Sequence, residues 1–96
     1  MKILYHRNVL EDLSELSAKD QARILQIVNL FENYGFHLGI KYLKKLDQDI
    51  WELRTGRYRL LFGIKGQIGY ATMLFFKKSQ KTPKKILKLA VRRLNI

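Results

Sequence analysis

Apolar and polar residues alternate with two different periods along this chain, and the change of period divides it. Through residues 9–31 the apolar positions recur every three or four residues, the spacing of one helical face: Val9, Leu10, Leu13 and Leu16, then Ile24, Leu25, Ile27, Val28 and Phe31. Asn8 with Glu11, and Ser17 with Asp20, have the spacing of an N-cap and its reciprocal partner. The pattern predicts a first helix over about residues 9–16 and a longer one from Ser17 to just before Asn33-Tyr34-Gly35. Ahead of them, Lys2-Ile3-Leu4-Tyr5-His6 reads as a short strand.

From Asp49 the period becomes two. Ile50-Trp51-Glu52-Leu53-Arg54 and Arg57-Tyr58-Arg59-Leu60-Leu61-Phe62-Gly63-Ile64 are rich in strand formers and flank a Thr55-Gly56 turn, so they predict a hairpin. Lys65-Gly66-Gln67 is a second turn. The following run, Ile68 to Phe76, has so little polarity that it reads as a strand covered on both faces and as the central one. Thr82-Pro83 starts a last helix to Leu94, the hydroxyl capping and Pro occupying the first helical position. Residues 36–48 carry no clear period. The whole predicts an α+β domain over 1–96: a small antiparallel sheet of the N-terminal strand plus a three-stranded meander, with an N-terminal helical hairpin and a C-terminal helix.

Composition supports one folded core and little more. The 96 residues are 47% hydrophobic and 11% aromatic, and there is no cysteine, which argues against a disulfide-built secreted scaffold. No apolar run approaches a membrane span and the N-terminus turns polar early, so the expectation is a cytoplasmic protein without a membrane partner. The charge is lopsided. Against a net +11, residues 49–96 hold twelve of the nineteen basic side chains and only two of the eight acids. A polyanion is the partner this implies, and the second half is where it binds.

Several chemistries lack their parts. Without cysteine there is no thiol nucleophile, His6 and His37 lack metal-ligand spacing, and the six glycines form no phosphate loop, so neither a metal nor a cofactor is expected. What remains is a cluster of cations. Period-two geometry puts Arg57 and Arg59 on one sheet face, the hairpin brings Arg54 beside them, and an antiparallel return of the third strand adds Lys77, Lys78 and Lys81. Arg54 could equally be paired with Glu52, while Arg59 has fewer acids at hand, so Arg59→Ala is expected to end activity without harming the fold. Trp51 and Tyr58 read as core residues that could alternatively stack on a base. Arginine forks match phosphate oxygens and stay charged, which suits a phosphodiester. In RNA the 2′-hydroxyl supplies the nucleophile, leaving the protein to provide charge stabilisation and proton transfer, the latter open to Lys77, Lys78 or Lys81.

Two segments carry a family likeness: Ile50-Trp51-Glu52-Leu53-Arg54 with Tyr58-Arg59-Leu60-Leu61-Phe62, and Phe75-Phe76-Lys77-Lys78-Ser79-Gln80-Lys81-Thr82-Pro83. Together they resemble the HigB-like, phage-derived branch of the RelE/ParE toxin superfamily. The resemblance implies a RelE-like fold and a toxin of a type II toxin–antitoxin system that cuts mRNA in the ribosomal A site of the 30S subunit. It implies a helix-turn-helix antitoxin as partner, with operator DNA reached only through that antitoxin. It casts Arg54 and Arg59 as the phosphate-binding, charge-stabilising arginines and Lys77, Lys78 and Lys81 as the basic segment along the mRNA; the site expected is Arg54, Arg59 and Lys78 as the catalytic set, with Lys77, Lys81, Lys84 and Lys85 as RNA contacts and Arg57 added only as a neighbour. Two departures stand out. Met73-Leu74 replaces a His-Gly frequent in this branch, and Ile50 and Glu52 replace lysines of the RelE branch proper, leaving Glu52 as a minor candidate base. The other reading is a non-catalytic module on the same fold, such as a ParE-like topoisomerase inhibitor or a nucleic-acid or ribosome binder.

Overall fold

A computed structural model describes residues 1–95. In chain order it contains β1 (Lys2–Tyr5), α1 (Arg7–Ser14), α2 (Ala18–Tyr34), a 3₁₀ turn (Gly35–His37), β2 (Leu43–Lys45), β3 (Trp51–Thr55), β4 (Tyr58–Lys65), β5 (Ile68–Phe76) and α3 (Lys84–Leu94). The strands form one sheet in the order β1-β5-β4-β3-β2. Leu60 and Leu61, adjacent on β4, fall in different apolar clusters, so both sheet faces are covered. One face packs on α1 and α2 through Val9, Ile24, Val28 and Phe31, and the other on α3 through Ala90 and Leu94. No described helix is long and apolar enough to cross a membrane.

The α+β expectation holds, with specific differences. β1 lies parallel to β5, so the sheet is mixed rather than antiparallel. No tight turn joins those two strands, and nothing in the local pattern sets their relative direction. The short edge strand β2 was not visible in the sequence; only Leu43 of its three residues is buried, too brief a run to show a period. β5 is an interior strand, but the centre of the sheet is β4. The first helix begins at Arg7 because His6 caps it: its Nδ1 accepts from the Asn8 amide at 3.1 Å, which displaces Asn8 from the capping role. Ser17 caps α2 as predicted, accepting from the Asp20 amide at 3.1 Å.

The hairpin turn sits one residue later than expected, at Gly56-Arg57, with Thr55 and Tyr58 paired across it. Gly56 has φ +74°, the conformation wanted at the first position of a two-residue type II′ hairpin and costly for any side-chain-bearing residue. On the other sheet face α3 is held by a register shift in the β4–β5 pair. Leu61 pairs with Met73 and Phe62 with Ala71, leaving Thr72 as an extra residue whose hydroxyl donates to the Ala90 carbonyl at 3.0 Å. Arg93 Nη1 donates to the Thr72 carbonyl at 3.0 Å, and Leu94 sits on Gly63, where a Cβ would collide with its methyls. These contacts anchor the C-terminal half of α3 on the sheet.

Candidate phosphate-binding cleft

Strand alternation builds the site. On β3, Leu53 points into the core beneath α1 and α2, so Glu52 and Arg54 project to the α3 face. On β4, Leu60 enters that core and Arg59 projects with Leu61 to the α3 side. Register then pairs Arg54 directly with Arg59. Like charges opposite each other on neighbouring strands repel, and Glu52 offsets this. Its Oε1 lies 3.3 Å from Arg54 Nε and 3.9 Å from Arg59 Nε. Glu52 Oε2 accepts from the Thr82 hydroxyl at 2.8 Å, so the same buried carboxylate fixes the two arginines and the end of the lysine-rich segment.

Arg59 is the more constrained of the pair. It is only 8% exposed, and Nη1 donates to the Gly56 carbonyl at 2.8 Å and the Tyr58 carbonyl at 2.9 Å. Burial pushes its pKa below the usual guanidinium value; Glu52 opposes that shift and Arg54 adds to it. An arginine starting so high stays charged. Arg54 is more accessible and donates from Nη1 to the Ile40 carbonyl at 3.3 Å. The sequence-based view that Arg59 would be the freer arginine is therefore reversed, because Glu52 serves both and Arg59 also holds the turn.

Around the pair lies a cleft of about 340 Å³. Glu52, Arg54 and Arg59 form its floor, Phe75, Phe76, Pro83 and Ile86 give it apolar walls, and the segment Lys77 to Thr82 closes one side. Arg54, Arg59, Lys77, Lys78 and Lys81 thus come together from three separate pieces of chain. A depression of about 220 Å³ shares Glu52, Gln80, Lys81 and Thr82 with it and extends to Lys44 and Lys45 on β2.

Three predicted contacts lie elsewhere. Arg57 does not share a face with Arg59, since it belongs to the turn and lines a neighbouring groove. Lys84 lines a shallow depression with Asp47 and Lys88, and Lys85 is exposed on the first turn of α3, outside the cleft lining. α3 also begins after Pro83 without a side-chain cap, because the Thr82 hydroxyl is spent on Glu52 rather than on the helix. Glu52 and Thr82 are the positions whose roles sequence reasoning understated. The Glu52-x-Arg54 spacing, which puts both on one face, was the available signal.

The cleft is cationic, with one engaged carboxylate and no imidazole. His6 caps α1 and His37 lies in the 3₁₀ turn. Among the described residues no three His, Asp or Glu side chains gather as metal ligands. Chemically the arrangement suits a phosphodiester: two guanidinium groups paired across adjacent strands, three exposed lysines along the same cleft, and apolar surface for a sugar or base.

Comparison with solved structures finds the same fold. One chain of the archaeal RelE–RelB complex from Pyrococcus horikoshii OT3 superposes with a TM-score of 0.64 at 18% identity, over 78% of this chain and 92% of that one. A chain of the toxin–antitoxin complex RelBE2 from Mycobacterium tuberculosis gives 0.64 at 16% identity, over 79% and 96%. No curated protein matches in sequence. The family model described as "Phage derived protein Gp49-like" matches residues 11–95, almost the whole of the described structure, and the chain therefore belongs to the phage-derived Gp49-like family.

Proposed function

We propose that this protein is the toxin of a toxin–antitoxin pair and that it cleaves mRNA on the ribosome, in the cytoplasm, without a metal. The observation that carries the reading is the convergence of Arg54, Arg59, Lys77, Lys78 and Lys81 on one cleft. The fold shared with chains of RelE–RelB complexes and the Trp51-Glu52-Leu53-Arg54 and Lys77-to-Pro83 segments support it.

The chemistry follows from the charges. A scissile phosphate seated on Arg54 and Arg59 has its non-bridging oxygens neutralised, and stabilisation grows as negative charge builds on phosphorus. The neighbouring 2′-hydroxyl attacks, its proton passing to solvent water at the open cleft, and the 2′-oxygen–phosphorus bond forms as the bond to the 5′-oxygen breaks. The Lys78 ammonium gives its proton to the departing 5′-oxygen. The products are a 2′,3′-cyclic phosphate and a 5′-hydroxyl. Lys77 and Lys81 hold flanking phosphates. A helix-turn-helix antitoxin silences the protein by laying an acidic or amphipathic helix over the cleft.

A binding-only toxin is the second reading, and one observation favours it. The cleft offers no imidazole, and its one carboxylate already accepts from Arg54 and Thr82. In vitro translation with primer extension across the mRNA separates the two. New 5′ ends within codons are expected. Stalled translation on intact mRNA selects the binder, and unaffected translation with blocked DNA supercoiling selects a topoisomerase inhibitor.

A further inference from the structure

Next to the cleft, on the far side of the β3–β4 turn, runs an open groove of about 860 Å³ between that turn and the first half of α2. Lys19, Arg23 and Arg57 line it with Asp20 as the one carboxylate in its wall, and none of the three cations has a carboxylate within 4.0 Å among the described residues. Uncompensated cations in a concave surface are the electrostatic footprint of a phosphate-bearing ligand.

Gly56, in the wall of this groove, links it to the cleft. Its carbonyl accepts from Arg59 on one side, and on the other the Arg23 stem lies within van der Waals reach of its Cα substituent position. Arg57 and Arg59 are two residues apart, so at most about 7 Å of chain separates their backbones. Phe76 lines both cavities. It pairs with Tyr58 across the strands, is fixed edge-on to the Tyr58 ring at 5.5 Å, and yet is 46% exposed. The Lys77 amide donates to the Arg57 carbonyl at 2.8 Å, tying the exit of β5 to the turn.

We propose that this groove is a second phosphate site for the same single strand: one phosphate on Arg54 and Arg59, an adjoining phosphate on Arg23 and Arg57, and Phe76 as the platform on which the base between them stacks. Exposed aromatic rings flanked by cations are how single strands are gripped without sequence readout. The inference rests on the cleft being an RNA site, and it assigns Arg57 a place that the cleft itself denies it.

The test is binding of non-cleavable 2′-O-methyl RNA by fluorescence anisotropy, with a dinucleotide carrying one phosphate and a hexanucleotide. The variants are Arg23→Ala/Arg57→Ala, Phe76→Ala and Arg54→Ala, each checked to be fully folded, with a cooperative thermal transition above the assay temperature. The double variant is expected to weaken the hexanucleotide at least tenfold while leaving the dinucleotide within twofold. It should also flatten the slope of log K against log salt by about 0.7, the value for one lost phosphate contact on a single strand. Phe76→Ala is expected to cost about tenfold on the hexanucleotide without changing that slope. A double variant that binds the hexanucleotide like the parent, while Arg54→Ala weakens both lengths, overturns the groove and leaves the cleft standing. Equal losses at both lengths also overturn it. A parent protein that binds neither oligonucleotide ends both readings.

Discussion

Arg54 and Arg59 stand directly opposite each other on adjacent antiparallel strands, held by one carboxylate, Glu52, at 3.3 Å and 3.9 Å. The pair is therefore kept in place by the fold before any ligand arrives. A site for a phosphate diester needs that: two cations forced together lower in energy when an anion adds to the single charge already between them.

Glu52→Gln keeps the size of the side chain and an acceptor for Thr82 but removes the charge. Breaking a buried ion pair destabilises because the remaining charges lose compensation. With Arg54 partly solvated and Arg59 at 3.9 Å, the expected loss is about 1–3 kcal/mol, read as a lower urea midpoint. RNA affinity should rise at the same time. A variant as stable as the parent and no tighter on RNA refutes the role given to Glu52.

Arg59→Ala is expected to abolish cleavage and also to destabilise, by about 1–3 kcal/mol, because the Gly56 and Tyr58 carbonyls lose a donor and Glu52 loses one of its two neighbouring positive charges. Equilibrium unfolding beside the activity assay measures both. Arg54→Ala is the cleaner probe of function, since its side chain is more exposed, and its loss of activity should come with a smaller change in the unfolding midpoint.

Thr82→Val removes the 2.8 Å bond to Glu52 while preserving shape. The expected outcome is a modest stability loss, about 1 kcal/mol, with faster hydrogen exchange confined to residues 77–83 and a reduced cleavage rate. Exchange unchanged in that segment would show that Thr82 does not anchor it.

Tyr5 gives a pH dependence unrelated to the cleft. Burial, and then the nearby Glu32 charge, push its phenol above the ordinary value of about 10. The folded state holds the proton more tightly than the unfolded one, so this stabilisation is complete below pH ~10 and is lost as pH climbs toward the folded value. Chemical denaturation between pH 9 and 11 should show a declining stability that is shallower in Tyr5→Phe.

Local periodicity was enough to read α2 with its Ser17 cap, the apolar β4 and β5, the last helix and the surplus of positive charge in the second half. Those features follow from neighbours close in sequence, where hydrophobic spacing and capping act directly. It also supplied the lysines and arginines of the cleft as a set, because few acids lie near them in the chain. Long-range geometry decided the rest. The parallel pairing of β1 with β5 and the addition of β2 depend on strands that meet from distant parts of the chain. Displacement of the turn by one residue, to Gly56-Arg57, took Arg57 out of the strand, where period-two alternation no longer aims its side chain, and left Arg59 in the cleft. Glu52 became the common partner of Arg54, Arg59 and Thr82 only when a segment thirty residues away folded over it. Charge content is a property of the sequence; which charges face one another is a property of register and packing, and only the assembled sheet determines it.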